Sequence, residues 1–292
     1  MIEMAAGSLP RLRDAFRGSL LGTAIGDALG RPVKGWSAAR IARGHGTVRE
    51  MLGHPRGRYT EDTETMIVLA EWLLEEETLD GESWETAGEH AFARGSFGNG
   101  AAARVAPCAL RFHREREVLD RVVGTSAAVT HSHPLGVAGA LVQARQVALV
   151  LESTGESLDP LSLVVDLRST TASLEFRQKL RAVEECLERR APPNVVRDRL
   201  GGNATALGSV PTALFCFLSH PESFEDAVAF AVNLGGDADS IGAMSGAIAG
   251  ARHGASAIPA RWKSALEQGP KGSAYIEELA DRLLERTFTG SA

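Results

Sequence analysis

The sequence predicts an all-α protein folded as a single domain over residues 1–292, and three observations carry that prediction. Apolar residues recur at helical spacing: Met66, Leu69, Ala70, Leu73 and Leu74 fall at i, i+3, i+4, i+7 and i+8, one face of a helix. Strand signals are scarce, because aromatic residues make up only 5% of the chain and alternating β-branched runs are rare. No low-complexity linker divides the chain, so the second domain that its length permits is not required. A hydrophobic content of 44% and a charged content of 23% supply a sizeable core with a solvated surface. They exclude a disordered tail, a collagen-like chain and a small disulfide scaffold.

Along the chain, residues 1–16 carry Glu3, Arg11, Arg13 and Asp14 without an apolar run, so no secretion signal is expected there. Gly18, Gly22, Gly26 and Gly30 then recur every fourth residue, and Gly242, Gly246, Gly250 and Gly254 do the same. An interior glycine costs a helix about 1 kcal/mol relative to alanine. Four in register therefore imply a smooth face against which another backbone packs, and two buried central helices are predicted. Membrane helices use this device, but Asp27 and the short lengths exclude a span. Ala101–Leu110, with Arg104 inside it, reads as a helix. Leu161–Leu167, containing Val164 and Val165, is a short strand or a helix start. Arg177–Arg190 and Ile276–Arg286 read as amphipathic helices, and Pro192-Pro193 as a turn between helices. Leu200–Pro221 has no charged residue but is interrupted by Gly201, Gly202, Asn203, Gly208, Pro211 and His220, which predicts a loop plus a buried helix.

The 31 basic against 37 acidic residues give a net charge of −6, opposite in sign to a general nucleic-acid binder or a partner of anionic membranes. Cys108, Cys186 and Cys216 are scattered and form no C-x-x-C pair. That pattern predicts free thiols in a reducing, cytoplasmic setting, with no structural zinc.

Four segments bear on chemistry. Thr60-Glu61-Asp62-Thr63-Glu64 opens a helix, and its hydroxyls and carboxylates suit capping. Three acidic residues in four positions exceed what a cap needs. Gly235-Gly236-Asp237-Ala238-Asp239-Ser240 opens the second glycine-striped helix, where the same capping reading applies. An EF-hand is excluded, since Ile241 and Ile248 stand where oxygen ligands are required. Both segments nonetheless offer hard oxygen donors suited to Mg²⁺, Mn²⁺ or Ca²⁺. If the two faced each other, four carboxylates would share one place and repel, and one or two divalent cations would remove that conflict. Gly98-Asn99-Gly100, after Phe97, matches a relaxed dinucleotide fingerprint without the strand that fingerprint needs. It is either a helix N-terminus whose amides face phosphate oxygens or an ordinary glycine turn. None of the four lysines follows a P-loop. Thr130-His131-Ser132-His133-Pro134 lacks the further ligands a zinc site requires, so a locally bonded loop is the alternative there.

Taken together, these segments resemble a known family. Arg17-Gly18-Ser19-Leu20-Leu21-Gly22-Thr23-Ala24-Ile25-Gly26-Asp27-Ala28-Leu29-Gly30 resembles the opening of the ADP-ribosylglycohydrolase family, which includes the dinitrogenase reductase-activating glycohydrolases. The segments at Thr60, Gly98, Thr130 and Gly235 follow in the family's order, and the likeness runs from about Arg17 to about Gly254. The resemblance implies a compact orthogonal helical bundle of the ADP-ribosylglycohydrolase type. It also implies two divalent cations, Mg²⁺ or Mn²⁺, in a cleft. Thr60, Glu61 and Asp62 would ligate from one side, and Asp237, Asp239 and Ser240 from the other. Phe97, Gly98, Asn99, Gly100, His131 and Ser132 are implied to contact ADP-ribose. This chain departs from the family in having Glu61 where Asp is usual, Ser240 and Ala238 where Thr is usual, and Lys34 where many relatives have Glu.

The expected activity is hydrolysis of the N- or O-glycosidic bond between ADP-ribose and a protein side chain or small acceptor. The metals would bind ribose hydroxyls beside the anomeric carbon, and the transition state would resemble an oxocarbenium ion. Asp62 is expected to move the proton, with Glu61 second. The expected partners are ADP-ribose and its conjugates, with no membrane, and with nucleic acid only as an ADP-ribosylated substrate. Two alternatives are a non-catalytic ADP-ribose-binding module, suggested by Glu61 and Lys34, and a binuclear-metal hydrolase of another ribosyl metabolite.

Overall fold

Helices and short turns account for the architecture. The computed structural model describes residues 8–53, 55–75, 95–153 and 157–289, and among these no β-strand is present, only isolated bridges at Ser37–Gly235 and Gly98–Thr205. The expectation of no leader segment falls partly on residues 1–7, which lie outside the described residues.

The two glycine stripes pack against each other. Helix α1 (Ser8–Gly30) is buried from Phe16 onward apart from Arg17. A Cβ added at Gly22 would overlap the carbonyl oxygen of Gly246, and one at Gly26 that of Gly242. A Cβ at Gly18 would overlap the carbonyl of Gly250. The pairing runs antiparallel, with numbers rising on one helix as they fall on the other. The same register holds to the end, where Gly30 faces the backbone of Ala238, an alanine in line with the second stripe. The fourth glycine of the second stripe, Gly254, is not interior as predicted. It follows the last residue of that helix at φ +79°, where its carbonyl-satisfying turn favours glycine.

Around this pair lie α2 (Ala38–His45), α3 (Glu61–Glu75), α4 (Gly100–Ala103), α5 (Ala106–Phe112), α6 (Arg116–Ala128) and α7 (Pro134–Glu152). They are followed by α8 (Pro160–Thr170), α9 (Leu174–Glu188), α10 (Pro193–Leu200), α11 (Ala206–Leu218), α12 (Phe224–Asn233), α13 (Ala238–His253), α14 (Ala260–Ala265) and α15 (Ser273–Thr289). The ambiguous run at Leu161 is helical, started by Pro160 behind an Asp159 cap whose carboxylate accepts the Leu161 N–H at 3.2 Å. The helix predicted over Ala101–Leu110 divides at Arg104-Val105, because Pro107 begins a new first turn. The uncharged stretch after Leu200 forms α11, a 13-residue core helix. By length and composition α7 would also span a membrane, but 61% of its apolar window is buried inside the protein. One hydrophobic cluster connects residues from α1 through α15.

Candidate active site

Asp27 seats the first acidic segment. Its carboxylate, wholly buried near the end of α1, accepts the N–H of Thr60 at 2.9 Å, the N–H of Thr63 at 3.2 Å and the hydroxyl of Thr63 at 2.6 Å. These bonds satisfy orphan donors at the start of α3 and hold that helix end against the glycine-striped pair. The second acidic segment is shaped by Gly235 and Gly236, at φ +71° and +78°, a conformation open to glycine. Arg197 donates to the carbonyls of Leu234 (2.9 Å) and Gly235 (2.6 Å). The Gly35 N–H donates to Gly236 O at 2.6 Å, the Gly236 N–H to Trp36 O at 2.7 Å, and the Asp237 N–H to Gly202 O at 2.9 Å.

The two acidic patches meet. Ser240 Oγ, in the first turn of α13, donates to Asp62 Oδ2 at 2.6 Å across 178 residues of sequence. Capping accounts for Thr60, whose hydroxyl accepts the N–H of Asp62 at 3.3 Å. It does not account for Asp237, which stands at the N-cap of α13 but whose side chain does not cap that helix and instead accepts from Asn99 Nδ2 at 2.6 Å. Asp62, Asp237 and Asp239 are 5%, 7% and 0% exposed, whereas the Glu61 side chain is 74% exposed and stands at the rim. Burial pushes the Asp62 carboxyl up to about 8, helped by the neighbouring Asp27, and pushes Asp27 up to about 6. Burial also raises Asp239, and Lys34 opposes that rise.

Lys34 sits among these carboxylates. Its Nζ lies 2.7 Å from Asp239 Oδ2, 3.8 Å from Asp237 Oδ1 and 4.0 Å from Glu61 Oε1. The contact with Asp239 is a close ion pair and not a well-directed hydrogen bond, and Oδ1 of the same carboxylate has no donor although it is buried. That orphaned oxygen and the hard donors around it fit a divalent cation in chemistry. Among the described residues, however, no three of His, Cys, Asp and Glu converge as the ligands of one ion.

The 95–100 loop is braced on the other flank. Ala206 N–H donates to Phe97 O at 3.0 Å and Asn99 N–H to Ala204 O at 3.0 Å, while Gly98 N–H reaches Ser96 Oγ at 3.1 Å. The N–H groups of Gly98 and Asn99 are thereby used inside the protein, as the glycine-turn reading of this loop has them. The His131 ring lies over Gly98 and Gly100, so that a Cβ at either would press on it. Thr130 Oγ1 accepts from Arg104 at 2.8 Å and shares a hydrogen bond of 2.7 Å with His131 Nδ1, its direction set by the ring's tautomer. Burial, reinforced by Arg104, lowers His131 to about 4, so the ring is neutral at physiological pH. Gly95, at φ +70°, leaves room for the hydroxyl of Ser132. Phe97 is half exposed and meets the His133 ring edge-on at 5.6 Å between centroids. Beside the site, between α3 and α6, opens a largely apolar pocket of about 220 Å³ lined by Thr65, Leu69, Trp72, Arg104 and Val129.

Asn99 and Asp27 were not assigned these positioning roles from sequence. Asp27 carries a legible signal, a lone carboxylate in the otherwise uncharged stretch 18–30 of α1, which signals a buried acceptor. Asn99 carries none, because its partner lies 138 residues away.

These shifts have a consequence for pH. In the unfolded chain Asp62 and Asp27 ionise near 3.8, and in the folded chain near 8 and 6. Their protonated forms favour folding, so the stabilisation is complete below pH 3.8 and is lost as pH rises toward 8. With EDTA present, the melting temperature should fall between pH 5 and pH 8.5, and less so in Asp62→Asn, which has no carboxyl to ionise at that position. Equal pH slopes for the two proteins would contradict a raised Asp62.

The model of the ADP-ribosylglycohydrolase family matches residues 8–292. An uncharacterized protein of Archaeoglobus fulgidus is 35% identical, over 94% of this chain and 97% of its own length. ADP-ribosylhydrolase ARH3 of Danio rerio is 30% identical, over 92% of this chain and 90% of its own. The ADP-ribosyl-[dinitrogen reductase] glycohydrolase of Rhodospirillum rubrum is 28% identical, over 94% and 97%. A solved ADP-ribosylglycohydrolase-related protein complex superposes with a TM-score of 0.75 at 27% identity, covering 95% of this chain and 99% of that one. With the family model matched across nearly the whole sequence, this chain belongs to the ADP-ribosylglycohydrolase family, a family of glycosidic-bond hydrolases.

Proposed function

We propose that this protein hydrolyses the N- or O-glycosidic bond joining ADP-ribose to a protein side chain or small acceptor, in a reaction that requires Mg²⁺ or Mn²⁺. The observation that carries this reading is the meeting of Asp62 with Ser240, which draws two distant acidic segments into one buried place. Thr60, Glu61 and Asp62 on one side and Asp237, Asp239 and Ser240 on the other would hold the cation. A divalent cation there supplies positive charge for the ribose hydroxyls and relieves repulsion among the carboxylates.

The chain's own residues do the rest. Asp62 gives its proton to the leaving nitrogen or oxygen as the anomeric bond lengthens. The ribosyl carbon then carries oxocarbenium character, next to the Asp237 and Asp239 carboxylates, until a water adds to it and returns a proton to Asp62, which frees ADP-ribose. Asn99 holds Asp237 in orientation, and neutral His131 shapes the loop that receives ADP-ribose. Phe97, exposed at the loop, offers a ring for stacking. The three buried free thiols suit a reducing, cytoplasmic setting.

The Lys34–Asp239 pair favours one second reading, an ADP-ribose-binding module without turnover. A panel of arginine-, serine-, nucleobase- and metabolite-linked ADP-ribose, incubated with Mg²⁺ or Mn²⁺ and with EDTA, separates the two. Release of free ADP-ribose that EDTA abolishes is expected. Tight binding in calorimetry without release from any conjugate would support the module, and release unaffected by EDTA would remove the metal.

A further inference from the structure

We propose that Lys34 is a tethered cation that takes the place of one divalent ion, so that this site binds one ion and not two. The inference rests on the metal-dependent reading above and concerns how much of the acidic set remains open to metal. The Lys34 ammonium meets Asp239 at 2.7 Å and Asp237 at 3.8 Å, with Glu61 at 4.0 Å, and so draws on three of the carboxylates that two ions would share. An ammonium and a divalent cation cannot both occupy the centre of that set, because each needs the same lone pairs and like charges repel at such range.

The placement is built into the backbone. Gly35 donates to Gly236 O at 2.6 Å, and Gly236 donates to Trp36 O at 2.7 Å. The residue after Lys34 is thereby clamped to the residue before Asp237, which fixes the root of the lysine beside its partners. The Lys34 side chain is 45% exposed, so its stem enters from the mouth while its charged end reaches a fully buried carboxylate. Lys34 leaves one share of the donors uncommitted. Asp239 Oδ1 is buried without a donor, and Asp62, Thr60 and the Ser240 hydroxyl are not among the groups the ammonium pairs with. That remainder suits a single ion.

The test counts metal on the full chain. Wild-type protein and Lys34→Met, a variant of similar length without charge, are titrated with Mn²⁺ by calorimetry. Their electron paramagnetic resonance spectra are then recorded at saturation, and circular dichroism checks that the variant folds. Lys34→Gln serves in its place if Lys34→Met does not fold. One ion with an isolated six-line Mn²⁺ spectrum is expected for wild type. Two ions with an exchange-coupled spectrum are expected for the variant. Two ions in wild type would overturn the role of Lys34 and leave the metal-dependent activity standing. One ion in both proteins would overturn it too, since removing the ammonium should open the second place. No ion in either would overturn both this inference and the metal requirement.

Discussion

Replacing Asp62 by Asn should lower the release of ADP-ribose by about a hundred- to ten-thousand-fold, the usual worth of a positioned proton donor. The substitution is nearly isosteric. The Ser240 hydroxyl can still donate to the remaining Oδ1, in the place where it now donates to Oδ2 at 2.6 Å. An amide has no acidic proton to give. Turnover should therefore collapse while the fold persists, and the melting temperature at pH 8 should not drop, because a carboxyl pushed up by burial is replaced by a neutral group. Initial rates on the best conjugate from the panel, together with a melting curve, provide the check. Wild-type turnover in the variant would move the proton to another group, with Glu61 on the rim the next to substitute.

The second large effect is on stability. Gly246→Ala should destabilise the protein by at least about 3 kcal/mol, the upper end for ordinary overpacking. A destabilisation of that size lowers the melting temperature by on the order of 10 °C in a protein of this length. The reason is the nature of the obstacle. A Cβ at Gly246 overlaps the carbonyl oxygen and carbon of Gly22, which are backbone atoms in a helix and cannot rotate aside. Relief requires α1 and α13 to move apart, and that loosens the neighbouring contacts at Gly18, Gly26, Gly242 and Gly250 together. Gly124→Ala is the matched control: it lies inside α6 with open space around it, and alanine there should stabilise by roughly 0.5–1 kcal/mol. Equal and small effects at both positions would mean that the stripes do not form a tight seam.

Much of this architecture was legible without coordinates, for identifiable reasons. Helical periodicity is a local property, so Met66–Leu74, Arg177–Arg190 and Ile276–Arg286 declared themselves. The four-residue glycine period announced close backbone approach because glycine inside a helix is otherwise a net cost. Where local signals compete along the chain, periodicity alone does not decide the outcome. Pro107 outweighed the alanine-rich run around it and split one predicted helix into two. Gly254 fitted the stripe by number but serves as a helix stop.

The candidate site divides the same way. Residue type and order marked Thr60, Asp62, Asp237, Asp239 and Ser240 as oxygen donors and tied them to a family, since chemistry and motif are written in short stretches of chain. Three things waited for the fold: which glycine stripe meets which, that Asn99 orients Asp237, and that the Lys34 ammonium stands between Asp237 and Asp239. Each depends on side chains that packing brings within a few ångströms across tens to hundreds of residues. Charges and hydrogen bonds act through distance in space, which the order of residues along a chain does not record.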